Sequence, residues 1–146
     1  MEPIARNASV TPLRRSDDDT PAFRKPPANV EAEQALLGAI LVNNRAYEQV
    51  SEYLRPEHFA DPVHGRIYDS IGKQINRGQS ANPTTLQFYF ERDEQLAERG
   101  GHTYLARLAA SAITVINARD YGRTIHDLFL RRQLIGLGED TVNEAY

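Results

Sequence analysis

The stretch Asn29 to Asn43, NVEAEQALLGAILVN, limits what this chain can fold into more than any other. At about 100° per residue, Val30, Leu36, Leu37, Ile40 and Leu41 share one broad helical face. The other side carries Ala32, Ala35, Gly38, Ala39 and Val42, and no charged side chain follows Glu33 until Arg45. A helix that is apolar on one side and small on the other is stable in water only when neighbours pack all round it. The stretch therefore predicts a central helix, and the rest of the chain has to cover it. Pro26-Pro27 blocks backward extension, Asn29 suits the N-cap, and Glu31 and Glu33 suit the positive end of the helix dipole. Asn43-Asn44 suits the stop.

Further segments repeat the helical period. Ala46, Tyr47, Val50, Tyr53 and Leu54 predict a second helix, capped by Asn44 and ended by Arg55-Pro56. A tight turn follows, with Phe59 tucked inward. Asp61-Pro62 is a cap-plus-proline start. Val63, Ile67, Tyr68, Ile71 and Ile75 then predict a third helix to Arg77, with Gly78 just beyond it. Gly65 and Gly72 either admit a close neighbour on that helix or are tolerated on its exposed side. Asn82-Pro83 starts a fourth helix carrying Leu86, Phe88, Tyr89 and Phe90. It gives way to the polar Arg92-Asp93-Glu94, with Leu96 as an anchor. Gly100-Gly101 breaks the chain, and Tyr104, Leu105, Leu108 and Ala109 mark a short fifth helix.

The last segment, Asn117 to Tyr146, carries two apolar stripes. Tyr121, Ile125, Leu128, Ile135 and Val142 fall within an arc of about 100°. Leu130, Leu134 and Leu137 fall roughly opposite. A terminal surface helix of a monomer needs one stripe, so the second implies a further partner. A hinge at Gly136 and Gly138 is the alternative. No segment alternates as a strand does. The fold class is all-α: a compact bundle of about five helices followed by a long C-terminal helix. Residues 1–27 read as a disordered arm, 28–116 as the globular part and 117–146 as the long helix. The arm holds five prolines (Pro3, Pro12, Pro21, Pro26 and Pro27) and few large apolar residues. The alternative for it is a short motif around Leu13 or Phe23 that folds on a partner.

Composition excludes several function classes. The absence of cysteine rules out disulfides, thiolate metal sites and cysteine nucleophiles. A net charge of −3 argues against an extended nucleic-acid-binding surface. The apolar runs are too short for a membrane span, and no signal peptide opens the chain, so a cytoplasmic protein is expected. Gly65 to Gln74 ends in a Gly-Lys pair but has Ile67 and Gln74 where a phosphate-binding loop needs Gly and Ser or Thr. His58, His64, His102 and His126 show no metal-ligand spacing and read as surface or capping residues. Arg119, Arg123, Arg131 and Arg132 give the last helix a basic side. It suits phosphates, an interface or solubility. No catalytic, cofactor-binding or metal-binding residue is expected.

Several motifs, in order, resemble one family. They are Pro26-Pro27, Glu31-Ala32-Glu33-Gln34 with Leu37-Gly38, then Phe59, His64 and Ile67-Tyr68, then Thr85-Leu86, then Gly100-Gly101-His102-Thr103-Tyr104-Leu105. Asn117, Tyr121, Ile125, Arg132 and Leu134-Ile135 complete the series. Together they resemble the N-terminal domain of the bacterial replicative DNA helicase, the DnaB family. The resemblance covers residues 26–146. It implies a non-catalytic collar module of a hexameric ring, acting in DNA replication. Its ATP- and magnesium-dependent motor domain would lie outside these residues. It implies self-association through a helical hairpin, as a dimer here and a hexamer in the parent. It also implies docking of primase and other replisome proteins, with weak or no DNA contact. Residues 117–146 would be the first helix of that hairpin, packed through Tyr121, Ile125, Leu128, Leu130, Leu134 and Leu137. Tyr104 and Ile135 match positions that face primase in relatives, although Tyr104, on the apolar side of a short helix, reads equally as a core residue. The competing readings are a stand-alone helical adaptor and a helical nucleic-acid-binding module.

Overall fold

The computed structural model describes residues 24–112 and 117–146. Every regular element among them is helical: α1 Val30–Val42, α2 Arg45–Val50, α3 Pro62–Asn76, α4 Pro83–Leu86, α5 Glu94–Glu98, α6 His102–Ala110 and α7 Ala118–Ala145. Two short 3-10 turns, Pro56–His58 and Gln87–Phe90, complete the list. The molecule is all-α with a long C-terminal helix of 28 residues. The remainder of the predicted arm, residues 1–23, lies outside the described residues.

α1 is the centre. Leu36, Leu37 and Ile40 have no accessible surface, and Ala32, Ala39 and Leu41 are buried with them. α6 and α7 flank it, while α2 and α3 close the other sides. Gly38 makes the α6 contact possible, because a Cβ at that position would collide with the Leu108 carbonyl of α6. The two ends of the helix behave differently. Val30 and Val42 are exposed, since the neighbours cover only the middle of the helix. The start is as predicted: the Asn29 side chain accepts from the Ala32 N–H at 2.9 Å.

The other starts follow the same local chemistry. Asp61 accepts from the Val63 N–H ahead of Pro62. Asn82 accepts from Thr84 and Thr85, and the Thr85 hydroxyl accepts from the Asn82 N–H in return. Asn44 departs from expectation. It makes no side-chain cap to α2. Its amide instead donates to the Ile40 and Ala81 carbonyls and accepts from the Ala81 N–H. A buried loop backbone without strand or helix partners needs such a side chain. The glycines of α3 are close-approach positions. A Cβ on Gly65 would lie 2.6 Å from the Pro56 carbonyl oxygen, and one on Gly72 would lie 2.5 Å from the Tyr47 hydroxyl.

Three boundaries shift. α2 stops at Val50, short of Leu54, and the Arg55 guanidinium takes the freed Ser51 carbonyl at 2.7 Å. The fourth helix tightens into a 3-10 turn after Leu86, which rotates Phe88 and Tyr89 outward while Leu86 and Phe90 stay buried. The polar run after Arg92 forms α5, because Asp93 caps the Leu96 N–H and Leu96 is fully buried.

Candidate functional site

α7 carries the predicted stripes as one continuous helix through Gly136 and Gly138. Its first half lies on the body. Ala118, Gly122 and Ile125 are buried against it, and Tyr121 and Leu128 are half-buried. The Tyr53 hydroxyl donates to the Arg119 carbonyl at 3.2 Å. Further along, the rings of His126 and Phe129 pack on His58 at 4.9 and 4.5 Å. Arg132 makes the last tie. Its guanidinium donates to the carbonyls of Pro27 and His58, both at 2.8 Å. That engagement takes Arg132 out of the predicted basic side.

Beyond Arg132 the helix projects. Leu134 and Leu137 are 67% and 64% exposed, and Leu130 and Ile135 are each 46% exposed. The stripe of Leu130, Leu134 and Leu137 is thus largely uncovered by the described residues. The other stripe is divided: Tyr121, Ile125 and Leu128 meet the body, whereas Ile135 and Val142 lie past its edge. Large apolar side chains thus recur in exposed positions along one face of the helix.

Tyr104 sits elsewhere, at the start of α6, and is only 7% exposed. Its hydroxyl lies 2.6 Å from Nε2 of His64, and the other ring nitrogen, Nδ1, lies 2.9 Å from Oε1 of Glu33. A carboxylate can only accept, so Nδ1 donates to Glu33, and in the neutral ring Nε2 accepts the Tyr104 proton. Glu33 also accepts from the backbone N–H groups of Ala60 and Asp61 at 2.7 and 3.3 Å. Asp61 is held by Arg99 through two bonds of 2.6 and 2.9 Å. Burial pushes the Asp61 carboxyl up, but the Arg99 hydrogen bond, neighbouring His64 and the Val63 N–H outweigh it and leave the group below its ordinary value. The guanidinium groups of Arg99 and Arg107 each lie 5.7 Å from the Tyr104 ring centre. The arrangement is a buried tie between α1, α3 and α6, with every polar atom matched.

This node corrects two expectations. His64 is fully buried and caps nothing, unlike the surface or capping role expected of it, whereas His58, although buried, does cap, its Nδ1 accepting from the Arg55 N–H. Glu33 is only 2% exposed and is bound to His64, so its role goes well beyond meeting the helix dipole. The signal was present in the sequence. On their helical wheels Glu33 falls among Leu37 and Ile40, and His64 falls among Ile71, Ile75 and Tyr68. Polar residues inside two apolar arcs are expected to find each other. The structure does not bring Tyr104 and Ile135 into one surface, since they occupy the core of the body and the projecting helix respectively. Gly72-Lys73 lies inside α3, where backbone N–H groups are already bonded. No helix among the described residues is long and apolar enough to cross a membrane.

Comparison with known proteins gives a consistent result. Residues 25–127 match the family described as DnaB-like helicase N terminal domain. The chain is similar to the replicative DNA helicase DnaB of Rickettsia conorii, at 46% identity over 140 residues, 96% of this chain. It is similar to that of Geobacillus stearothermophilus at 33% identity over 84% of the chain. It spans only 28% and 27% of these two relatives. Among solved structures, it resembles the N-terminal domain of DnaB helicase from Mycobacterium tuberculosis, with a TM-score of 0.77, 34% identity and coverage of 84% of this chain and 88% of that one. It also resembles a DnaB-like replicative helicase described with its interactions with primase, with a TM-score of 0.66, 30% identity and coverage of 80% and 27%.

Proposed function

From the premise that the chain belongs to the family of DnaB-like helicase N-terminal domains, we propose that it is a collar module: a non-catalytic element that pairs with copies of itself and docks primase in a cytoplasmic replisome. The observation that carries this reading is the projecting half of α7. Leu130, Leu134 and Leu137 form an apolar face on a helix that has already packed its other side on the body. Burying three such side chains is worth on the order of 5 kcal/mol. Association entropy takes back much of it, so these residues alone form a weak dimer, and the ring needs the rest of a longer protein. ATP and magnesium belong to a motor region that this chain does not span, and the chain holds no cofactor of its own. Tyr121, Ile125 and Leu128 serve as the hairpin's seat on the body.

Primase docking rests on the kinship with the helicase described with primase. Ile135 is available for such a contact at the edge of the body, while Tyr104 acts from within by fixing α6. Sedimentation equilibrium over a wide concentration range, with and without primase, tests the reading. A reversible dimer and a co-sedimenting primase complex are expected. A chain that stays monomeric at high concentration and leaves primase unbound overturns it.

A further inference from the structure

The far end of the seat of α7 is built on a histidine pair. His58 closes the 3-10 turn Pro56–His58 and is buried. His126 of α7 meets it edge-on, with ring centres 4.9 Å apart, and the Phe129 ring lies 4.5 Å from it. Arg132 completes the contact. Its guanidinium donates to the His58 carbonyl at 2.8 Å and lies 5.9 Å from the Phe129 ring centre. One residue of the body thus holds three residues of α7.

Geometry sets the protonation state of that residue. Nδ1 of His58 accepts from the Arg55 N–H at 2.9 Å, so the ring's proton sits on Nε2. A second proton has only Nδ1 to go to, where it meets the Arg55 N–H and ends the cap. The surrounding charges act in the same sense. His126 and Arg132 face the ring from α7, and Arg55 and Glu57 belong to its own turn. Burial and then His126, with Arg55 and Arg132, outweigh Glu57 and hold His58 below its ordinary value. α3 also packs on this turn, but its ionisable groups are engaged elsewhere. His64 is bound to Glu33 and Tyr104, Arg66 to Asp93, and Lys73 to Asp69.

We propose that His58 is a proton-sensitive latch: the neutral ring fixes the second half of α7 to the body, and the protonated ring releases it. A proton on Nδ1 removes the cap of the turn and sets a cation against His126 and Arg132. Solvent stabilises that cation better than the seat does, so the released ring binds the proton more readily than the seated one. Release is therefore favoured progressively as pH falls from the ordinary histidine value to the depressed one. Ala118, Gly122 and Ile125 are buried without an ionisable group and keep the first half of α7 in place. The latch thus controls the direction in which Leu130, Leu134 and Leu137 project, whatever they meet.

Hydrogen exchange on the full chain tests this, read as protection factors so that the intrinsic pH dependence of exchange cancels. From about pH 7.5 to about pH 5.5, protection across residues 126–140 should fall by about tenfold relative to α1. His58→Gln keeps a capping oxygen that cannot ionise and should abolish the fall. His126→Gln removes one of the opposing cations and should reduce it. A fall of the same size in His58→Gln overturns the proposal, and so does protection in the unmutated chain that ignores pH. Should His58→Gln loosen α1 as well, an NMR titration of the unmutated chain decides. A His58 ring that titrates below its ordinary value, in step with the signals of residues 126–140, supports the latch. One that titrates at or above that value overturns it.

Discussion

Nε2 of His64 and the hydroxyl of Tyr104 lie 2.6 Å apart, joining two residues 40 positions apart in the chain. His64 is fully buried and passes the link to Glu33 through its other nitrogen. Three helices thereby meet at one line of side chains, and each member fixes the rotamer and hydrogen-bonding role of the next. A buried polar line of this kind stabilises only when every atom is matched.

Tyr104→Phe keeps the ring and removes the hydroxyl. His64 then loses the partner of its Nε2 in a buried site, at a cost of roughly 1–3 kcal/mol. Urea unfolding of both proteins measures it. A loss below about half a kcal/mol would place Tyr104 at the surface, as a pure contact residue.

Leu37→Ala or Ile40→Ala removes a fully buried aliphatic group from α1. The expected loss is about 2–5 kcal/mol, a transfer cost plus the cavity left behind. Calorimetry or urea unfolding should show it, and an unchanged midpoint would mean that α1 does not carry the core.

Two glycine substitutions should act in opposite directions. Gly38→Ala drives a methyl group into the Leu108 carbonyl; backbone cannot step aside as a side chain can, and a loss of about 1–3 kcal/mol is expected. Gly136→Ala meets nothing within 4 Å and should raise the helicity and stability of α7 by up to about 1 kcal/mol. Thermal unfolding followed by circular dichroism separates them.

The Asp61 carboxyl titrates below its ordinary value in the folded chain. Its contribution is complete above the ordinary value and is lost as pH falls through the depressed one. The acid side of the stability profile should therefore be steeper in the native chain than in Asp61→Asn, which keeps a capping oxygen but cannot ionise. Equal acid limbs would show that the Asp61–Arg99 pair does not drive acid unfolding.

Leu134→Asp changes a side chain that is 67% exposed in the single chain. Folding should be untouched, while dimer affinity should fall by more than about tenfold, since apolar burial is replaced by a buried charge. Sedimentation equilibrium reads the affinity and circular dichroism the fold. An unaltered dimer would move the interface to another face.

What the sequence determined by itself is local. Asn29, Asp61-Pro62 and Asn82-Pro83 start helices because each supplies an oxygen to neighbouring N–H groups or a preset φ within three residues. The central place of α1 and the two stripes of α7 follow from the 3.6-residue period, which is likewise a property of one segment. What only the tertiary structure decided are meetings between segments. Glu33 meets His64, His64 meets Tyr104, and Arg132 meets Pro27 across 105 residues. Gly65 and Gly72 could be read either way until Pro56 and Tyr47 were seen against them. Likewise, two equally apolar stripes differ only in that one lies toward the body. A period tells which residues share a face, but which face finds a neighbour is set by the packing of the whole chain.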